Sequence, residues 1–332
     1  MNPIRRHFLK LGALASLNPA ALAWPAPARL RRAGQFPFVQ VDVFTANRLE
    51  GNPLAVFTDA RGLSDAEMQQ LARETNLQET TFVIPRDAAV EREQGIKVRI
   101  FVPTEESPFG GHPTLGTAMV LRDLMSEGAR PAKLVLDLKV GKIPVEFSTD
   151  ARGNTFGEMH QVDPTFGQVH DPKTVASLIG VRPEDIATDQ PIESVSTGLW
   201  YAIVPLKSLS ALQSIKPDQD KISAYFGPKA TLTSFYFVAR DAQSAAATIR
   251  TRAIFSDGED PATGSAAGCL IAWMVRHGLA QAGATIHIEQ GVEIKRPSQI
   301  FARADKAGDK IHNVRVGGNA VQVMRGEYGL GD

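Results

Sequence analysis

The stretch Phe255-Ser-Asp-Gly-Glu-Asp-Pro-Ala-Thr-Gly-Ser-Ala-Ala-Gly-Cys-Leu-Ile-Ala-Trp-Met-Val275 decides how this chain of 332 residues is read. Thr251 to Phe255 has the β-branched and aromatic character of a strand, and it runs into an acidic turn rich in glycine and proline. A helix then leaves from about Thr263. Gly264, Ser265, Ala266, Ala267 and Gly268 keep its first turn thin, so another group can approach the N-terminus closely. The amides there precede any intrahelical acceptor and lie at the positive end of the helix dipole. A substrate carboxylate or phosphate fits such an end. Tight packing of a buried helix accounts for the same small residues, and this stretch alone leaves both readings open.

The layout occurs twice. Val98 to Phe101 reads as a strand, Val102 to Gly111 as an acidic turn, and His112 to Arg122 as a helix. Pro113 falls in the first turn of that helix, where proline is tolerated. Phe101 and Phe255 lie 154 residues apart. Gly51-Asn-Pro-Leu-Ala-Val-Phe57 leads to Leu63-Ser64 as Thr197-Gly-Leu-Trp-Tyr-Ala-Ile203 leads to Leu209-Ser210, at a separation of 146. Two similar separations in the same order indicate a duplicated half. The expectation is an α+β fold of two pseudo-symmetric halves, each a curled β-sheet around a central helix. Both helix N-termini then face one interdomain cleft, which is the expected active site, with an anion held between Gly111 and Gly264. The first half spans 36–149 and the second 150–319, with the boundary at the turn 150–154. A last strand over 320–328 returns to the first half.

Composition is that of a globular protein, with 43% apolar and 22% charged residues and zero formal charge. No basic tract interleaved with aromatics points to nucleic acid. The first 28 residues are set apart. Arg5-Arg6-His-Phe-Leu-Lys10 precedes an apolar run from Leu11 to Ala23, and small-residue cleavage sites follow at Ala21-Leu-Ala23 and Ala26-Pro-Ala28. This is the layout of a twin-arginine export leader, and it implies a periplasmic protein; without that leader the chain stays cytoplasmic. The run is too short, and too interrupted by Asn18-Pro19, to be a stable membrane span. The single cysteine, Cys269, excludes an internal disulfide and reads as a packing residue.

Glu79 is the sharpest candidate for chemistry. It opens the apolar segment Glu79-Thr-Thr-Phe-Val-Ile84, and the repeat sets Ser234 opposite it. A carboxylate present in only one of two related halves suggests a task, since burial at a strand end raises its pKa and lets it accept and return a proton. An exposed strand-end acid is the commoner fate of such a residue. His112 follows Gly110-Gly111 at a helix start, either as a cap or as a neutral imidazole that donates or relays a proton. Asp260 suits an ammonium group or a solvated turn, and Asn52 suits a ligand or its own turn. The seven histidines are scattered without ligand spacing, and neither a dinucleotide-binding glycine motif nor a Walker loop occurs. No metal and no organic cofactor is expected.

Together these motifs resemble a known family. Gly51-Asn-Pro-x-Ala-Val, Asn-x-x-Glu79-Thr-x-Phe-Val, Gly-Gly-His112-Pro-Thr-Leu-Gly, Gly-Glu-Asp260-Pro-Ala-Thr-Gly-Ser265-Ala and Gln290-Gly…Arg296-Pro-Ser are similar to the PhzF-like (phenazine biosynthesis) isomerases, from about Phe36 to the C-terminus. The resemblance implies a diaminopimelate-epimerase-like fold. It implies that Glu79 is the catalytic carboxylate, that His112, Asp260 and Ser265 are further active-site residues, and that the Gly111 and Gly264 amides hold substrate. It also implies cofactor-free isomerisation of a dihydro-hydroxyanthranilate, and a homodimer. The chain departs from the epimerase relatives in having no thiol at either helix start, which excludes two-thiol racemisation. The leader is the second departure, because the prototype pathway is cytoplasmic. The expected function is therefore a cofactor-independent isomerase that moves a proton within a small carboxylate-bearing substrate. The alternatives are a single-carboxylate epimerase or racemase, and an inactive exported binding protein.

Overall fold

The computed structural model describes residues 34–227, 234–240 and 249–330, so the expected leader lies outside the described residues. The first half comprises β1 (Gln35–Val43), β2 (Asn52–Phe57), α1 (Asp65–Thr75), β3 (Thr80–Ile84), α2 (Ala88–Gln94), β4 (Ile96–Phe101), β5 (Glu106–Ser107), α3 (Gly111–Leu124), β6 (Lys133–Leu138), β7 (Gly141–Thr149) and β8 (Thr155–His160). The second comprises β9 (Thr165–His170), α4 (Pro172–Ile179), β10 (Ile192–Ser196), β11 (Trp200–Leu206), α5 (Leu209–Ser214), α6 (Gln219–Phe226), β12 (Ser234–Arg240), β13 (Ile249–Phe255), β14 (Gly258–Asp260), α7 (Gly264–Arg276), β15 (Ile286–Gln290), β16 (Ser298–Ala307) and β17 (Lys310–Gly318). β18 (Ala320–Gly329) then runs back to pair with β1 of the first half.

Strand pairing makes the duplication explicit. The first half reads β18-β1-β2-β3-β4-β6-β7-β8, and the second reads β9-β10-β11-β12-β13-β15-β16-β17. The parallel pairs fall at the same places in both, β2–β3 and β4–β6 against β11–β12 and β13–β15. β8 and β17 join the halves antiparallel, with Val316 opposite Met159. The turn at 150–154 is thus a hairpin inside the first half, since Thr149 pairs with Thr155. β8 closes the first strand order as β17 closes the second, so the chain leaves the first half only after His160.

The same register corrects the expected repeat spacing. Phe82 pairs with Arg99 as Phe237 pairs with Arg252. Arg99 forms a two-pronged bond to Glu106, at 2.8 and 2.9 Å, as Arg252 does to Glu259, at 2.8 and 2.6 Å. Arg99 therefore corresponds to Arg252, and Phe101 to Ile254 rather than to Phe255. The helices cap at Ser64 and Ser208, so the separation there is 144 rather than 146. Loops of unequal length absorb the difference.

Local chemistry explains the elements. Ser64 and Glu67 form the expected capping box of α1, and Met68, Leu71 and Ala72 face inward. α7 is buried from Gly264 to Val275, and α3 from Gly111 to Leu121, so each is apolar on every side and serves as the axis of its half. α4, α5 and α6 cover the outer face of the second sheet, with Val175, Ile179, Leu212 and Ile222 in one apolar cluster with Phe235 and Phe237 of β12. Ile294 lies in the loop between β15 and β16 and is exposed. Among the described residues no helix is long and apolar enough to cross a membrane.

Candidate active site

Three turns of the first half deliver side chains to one place. Gly51 adopts φ +67°, and a Cβ there would lie 2.3 Å from the Val43 carbonyl oxygen, so only glycine completes the turn that aims Asn52 inward. Asn52 is wholly buried at the start of β2. Glu79 immediately precedes β3, and Gly110-Gly111 lead into α3 with His112 in its first turn. In the second half the β13–β14 hairpin ends at Asp260, and Pro261-Ala262-Thr263 leads into α7, which places Ser265 in its first turn.

The halves meet at these turns. Asn52 Nδ2 donates to Asp260 Oδ1 at 2.6 Å and to the Ala262 carbonyl at 3.1 Å, and it lies 3.0 Å from His112 Nδ1. His112 Nε2 faces Glu79 Oε2 at 3.6 Å. Asp260 Oδ2 accepts from Thr263 Oγ1 at 2.7 Å. Gln290 braces the same turn by donating to the Asp260 carbonyl and accepting from Thr263 N. Gln161 donates to the Gly264 carbonyl at 2.9 Å, and Tyr201 Oη and Ser265 Oγ are 2.9 Å apart. Asn52, Glu79, His112, Asp260, Gly111, Gly264 and Ser265 thus lie in one constellation.

The two helix starts touch directly. A Cβ on Gly111 would lie 2.4 Å from Ser265 N, and one on Gly264 would lie 3.2 Å from Gly111 Cα. Nothing fits between Gly111 and Gly264, which corrects the expected anion position. An anion can reach these ends only from the side. The amides of both first turns precede the first intrahelical bonds, Thr114 N to Gly110 O and Ala267 N to Thr263 O.

Electrostatics separates the acids from the imidazole. Burial alone pushes the His112 pKa down to about 3, so the ring is neutral. Because Nδ1 accepts from Asn52, the ring proton sits on Nε2, toward Glu79. Burial first, then the carboxylates of Asp260 and Asp257, push the Glu79 pKa well above the ordinary carboxylate range. Its side chain keeps 21% exposure, so it is desolvated yet open on one side. Burial also raises Asp260 to about 6, against the opposing bonds from Thr263, Ala262 and Asn52. Asn52 Oδ1 and His112 Nε2 are buried without a hydrogen-bond partner. Cys269 is buried below Ser265, its thiol pushed up to about 12, so it is no thiolate nucleophile at neutral pH.

Sequence reading did not single out Tyr201, Thr263, Gln161 or the bracing role of Gln290. Tyr201 carried a usable signal, because its strand aligns with β2 and places it opposite Leu54. Gln161 carried none, since its partners are distant in the chain.

The model of the phenazine biosynthesis-like protein family (PhzC-PhzF) matches residues 41–326. A Pseudomonas chlororaphis protein called trans-2,3-dihydro-3-hydroxyanthranilate isomerase is 37% identical over 296 residues, covering 87% of this chain and 98% of its own. The crystal structure of a Bacillus anthracis phenazine biosynthesis protein of the PhzF family is similar with TM-score 0.78 and 27% identity, over 89% of this chain and 99% of that one. A predicted epimerase from Pseudomonas aeruginosa follows with TM-score 0.72 and 30% identity, over 88% and 99%. On this match of sequence, fold and topology, the chain belongs to the phenazine biosynthesis-like family of isomerases.

Proposed function

We propose that this protein is a cofactor-independent isomerase in which Glu79 removes a proton from a conjugated carbon of a small carboxylate-bearing substrate and returns it to another carbon. The carrying observation is the meeting of a desolvated, one-side-open Glu79 carboxylate with a neutral His112 at 3.6 Å. A charged imidazole there would hold Glu79 as a weakly basic carboxylate. A neutral one leaves it basic enough to take a proton near neutral pH. The electron pair released by the C–H bond moves through the conjugated system, and the protonated Glu79 then redelivers the proton. Asn52, His112 and Asp260 orient the substrate, while first-turn amides and the Ser265 hydroxyl receive its carboxylate.

Kinship makes trans-2,3-dihydro-3-hydroxyanthranilate the first substrate to test. Run in deuterium oxide, wild-type turnover should place solvent deuterium in the product, and Glu79→Gln should abolish both turnover and labelling. Full turnover by Glu79→Gln sinks the reading. An epimerase requires a second base across the substrate, and the positions matching Glu79 and His112 are Ser234 and Ser265. Asp260 is the group left for that role, and inversion of a chiral amino acid with washout of its α-hydrogen would favour it. The leader supports export in folded form; Arg5→Lys with Arg6→Lys should leave full-length precursor in the cytoplasm. Family resemblance supports a homodimer, which light scattering tests.

A further inference from the structure

We propose that Tyr201 is a positioning residue that acts through Ser265, turning the serine hydroxyl outward as a hydrogen-bond donor to the substrate's anionic oxygen. The inference rests on the isomerase reading above and begins from the asymmetry of the two halves. Strand register sets Tyr201 of β11 opposite Leu54 of β2, because Ala55 pairs with Thr80 where Ala202 pairs with Phe235. The helix starts set Ser265 opposite His112. One half therefore combines leucine below with histidine above, and the other combines tyrosine below with serine above. The tyrosine compensates for the shorter residue above it, and its oxygen ends 2.9 Å from Ser265 Oγ.

Counting protons then assigns a direction. Both hydroxyls are buried, and among the described residues Ser265 Oγ is the one hydrogen-bond partner of Tyr201 Oη. Two O–H groups share a single hydrogen bond, so one proton remains to be donated elsewhere. Burial, first among the causes, drives the phenol pKa up, so Tyr201 keeps its proton at any working pH. The phenol proton is held near its ring plane while the serine hydroxyl is a free rotor that can turn its proton toward a bound acceptor, so the shared bond runs from Tyr201 Oη to Ser265 Oγ. Ser265 Oγ then accepts from Tyr201, and its own proton is left to point away. The turn of Gly111 packs against Ser265 N, so the serine end of the pair borders the candidate site. A Cβ on the neighbouring Gly110 would lie 3.5 Å from Glu79 Oε1, so the same glycine pair borders both Glu79 and Ser265. Without the phenol, the serine hydroxyl is free to turn toward any acceptor, the helix carbonyls behind it included.

The test is a double-mutant cycle on Tyr201→Phe and Ser265→Ala, read by calorimetric binding of 3-hydroxyanthranilate and by turnover of its trans-2,3-dihydro form. Ser265→Ala should weaken binding about tenfold or more, the scale of a lost hydrogen bond to a charged group. Tyr201→Phe should cost a comparable factor in binding while keeping the native fold by circular dichroism, with only the modest fall in thermal midpoint that one lost buried hydrogen bond brings. In the Ser265→Ala background, Tyr201→Phe should cost nothing further, because the group it acts through is gone. Additive losses, or a wild type that binds the probe no tighter than Ser265→Ala, overturn the proposal. The isomerase reading fails separately, through full activity in Glu79→Gln with this cycle intact.

Discussion

One side-chain nitrogen ties the two halves together at the candidate site: Asn52 Nδ2 lies 2.6 Å from Asp260 Oδ1 and 3.0 Å from His112 Nδ1. The amide has two protons and three acceptors within reach, counting the Ala262 carbonyl. It selects the His112 tautomer from one half while steadying the carboxylate of the other. A small shift between the halves therefore alters the imidazole and the carboxylate together.

Glu79→Gln keeps the shape of the side chain but cannot take a proton. Loss of this kind lowers kcat by about 10²–10⁴-fold. KM should stay near the wild-type value, because the helix-end amides still hold the carboxylate. A large rise in KM with kcat preserved would reassign Glu79 to binding.

The acidic limb of kcat/KM should lie above the ordinary carboxylate range, because Glu79 is raised by burial, then by Asp260 and Asp257. Asp257 is exposed on the β13–β14 turn, so Asp257→Asn should move the limb to lower pH without damaging the fold. A limb that stays in place in Asp257→Asn, measured at low salt, contradicts this electrostatic account.

Asp260 titrates at about 6 when folded, against 3.8 as a free group, so the folded protein keeps a proton that the unfolded chain has released between those values. Its favourable contribution is complete below pH 3.8 and is lost as the pH rises through about 6. Asp260→Asn should flatten the fall in urea midpoint over that window. An unchanged slope would place the titration elsewhere.

Neither glycine at the paired helix starts leaves room for a side chain. A Cβ on Gly264 meets the Phe44 ring at 2.8 Å, and one on Gly111 meets the backbone of Ser265 at 2.4 Å. Gly264→Ala should destabilise by about 1–3 kcal/mol, and Gly111→Ala by more, because backbone cannot turn aside as a ring can. Gly128, with nothing within 4 Å, is the control whose alanine variant should melt like the wild type. Equal thermal midpoints for all three variants would mean that the helix starts are not packed as described.

Arg296 holds the turn that carries Asn52. Its guanidinium donates to Asp42 Oδ1 and the Glu50 carbonyl at 2.7 Å, and to the Gly51 carbonyl at 2.8 Å. Arg296→Met should cost about 3 kcal/mol, since it strands the buried Asp42 charge. Adding Asp42→Asn should recover part of that loss in urea titrations. No recovery would mean that the carbonyl bonds, not the ion pair, hold the turn.

Much of the site was legible in the sequence because short-range chemistry marks it. Small residues after an acidic turn identified both helix starts, and the capping box of Ser64 and Glu67 depends on residues three apart. The asymmetry that drew attention to Glu79 was equally present at Tyr201 against Leu54. It is hidden in the sequence because unequal loops shift the repeat by one residue in that strand.

Periodicity, caps and glycine turns pointed to the α+β class, and the recurrence of the same turn-helix layout pointed to the duplicated halves, whereas the grouping of Glu79, His112, Asp260 and Ser265 came from the family resemblance. Strand pairing was needed for the rest. It set the repeat register, kept β8 with the first half, and brought Gly111 against Gly264 too closely for a ligand to pass between. The same long-range contacts buried Glu79, His112 and Asp260. Their proton affinities depend on what surrounds them, and no local run of residues carries that information.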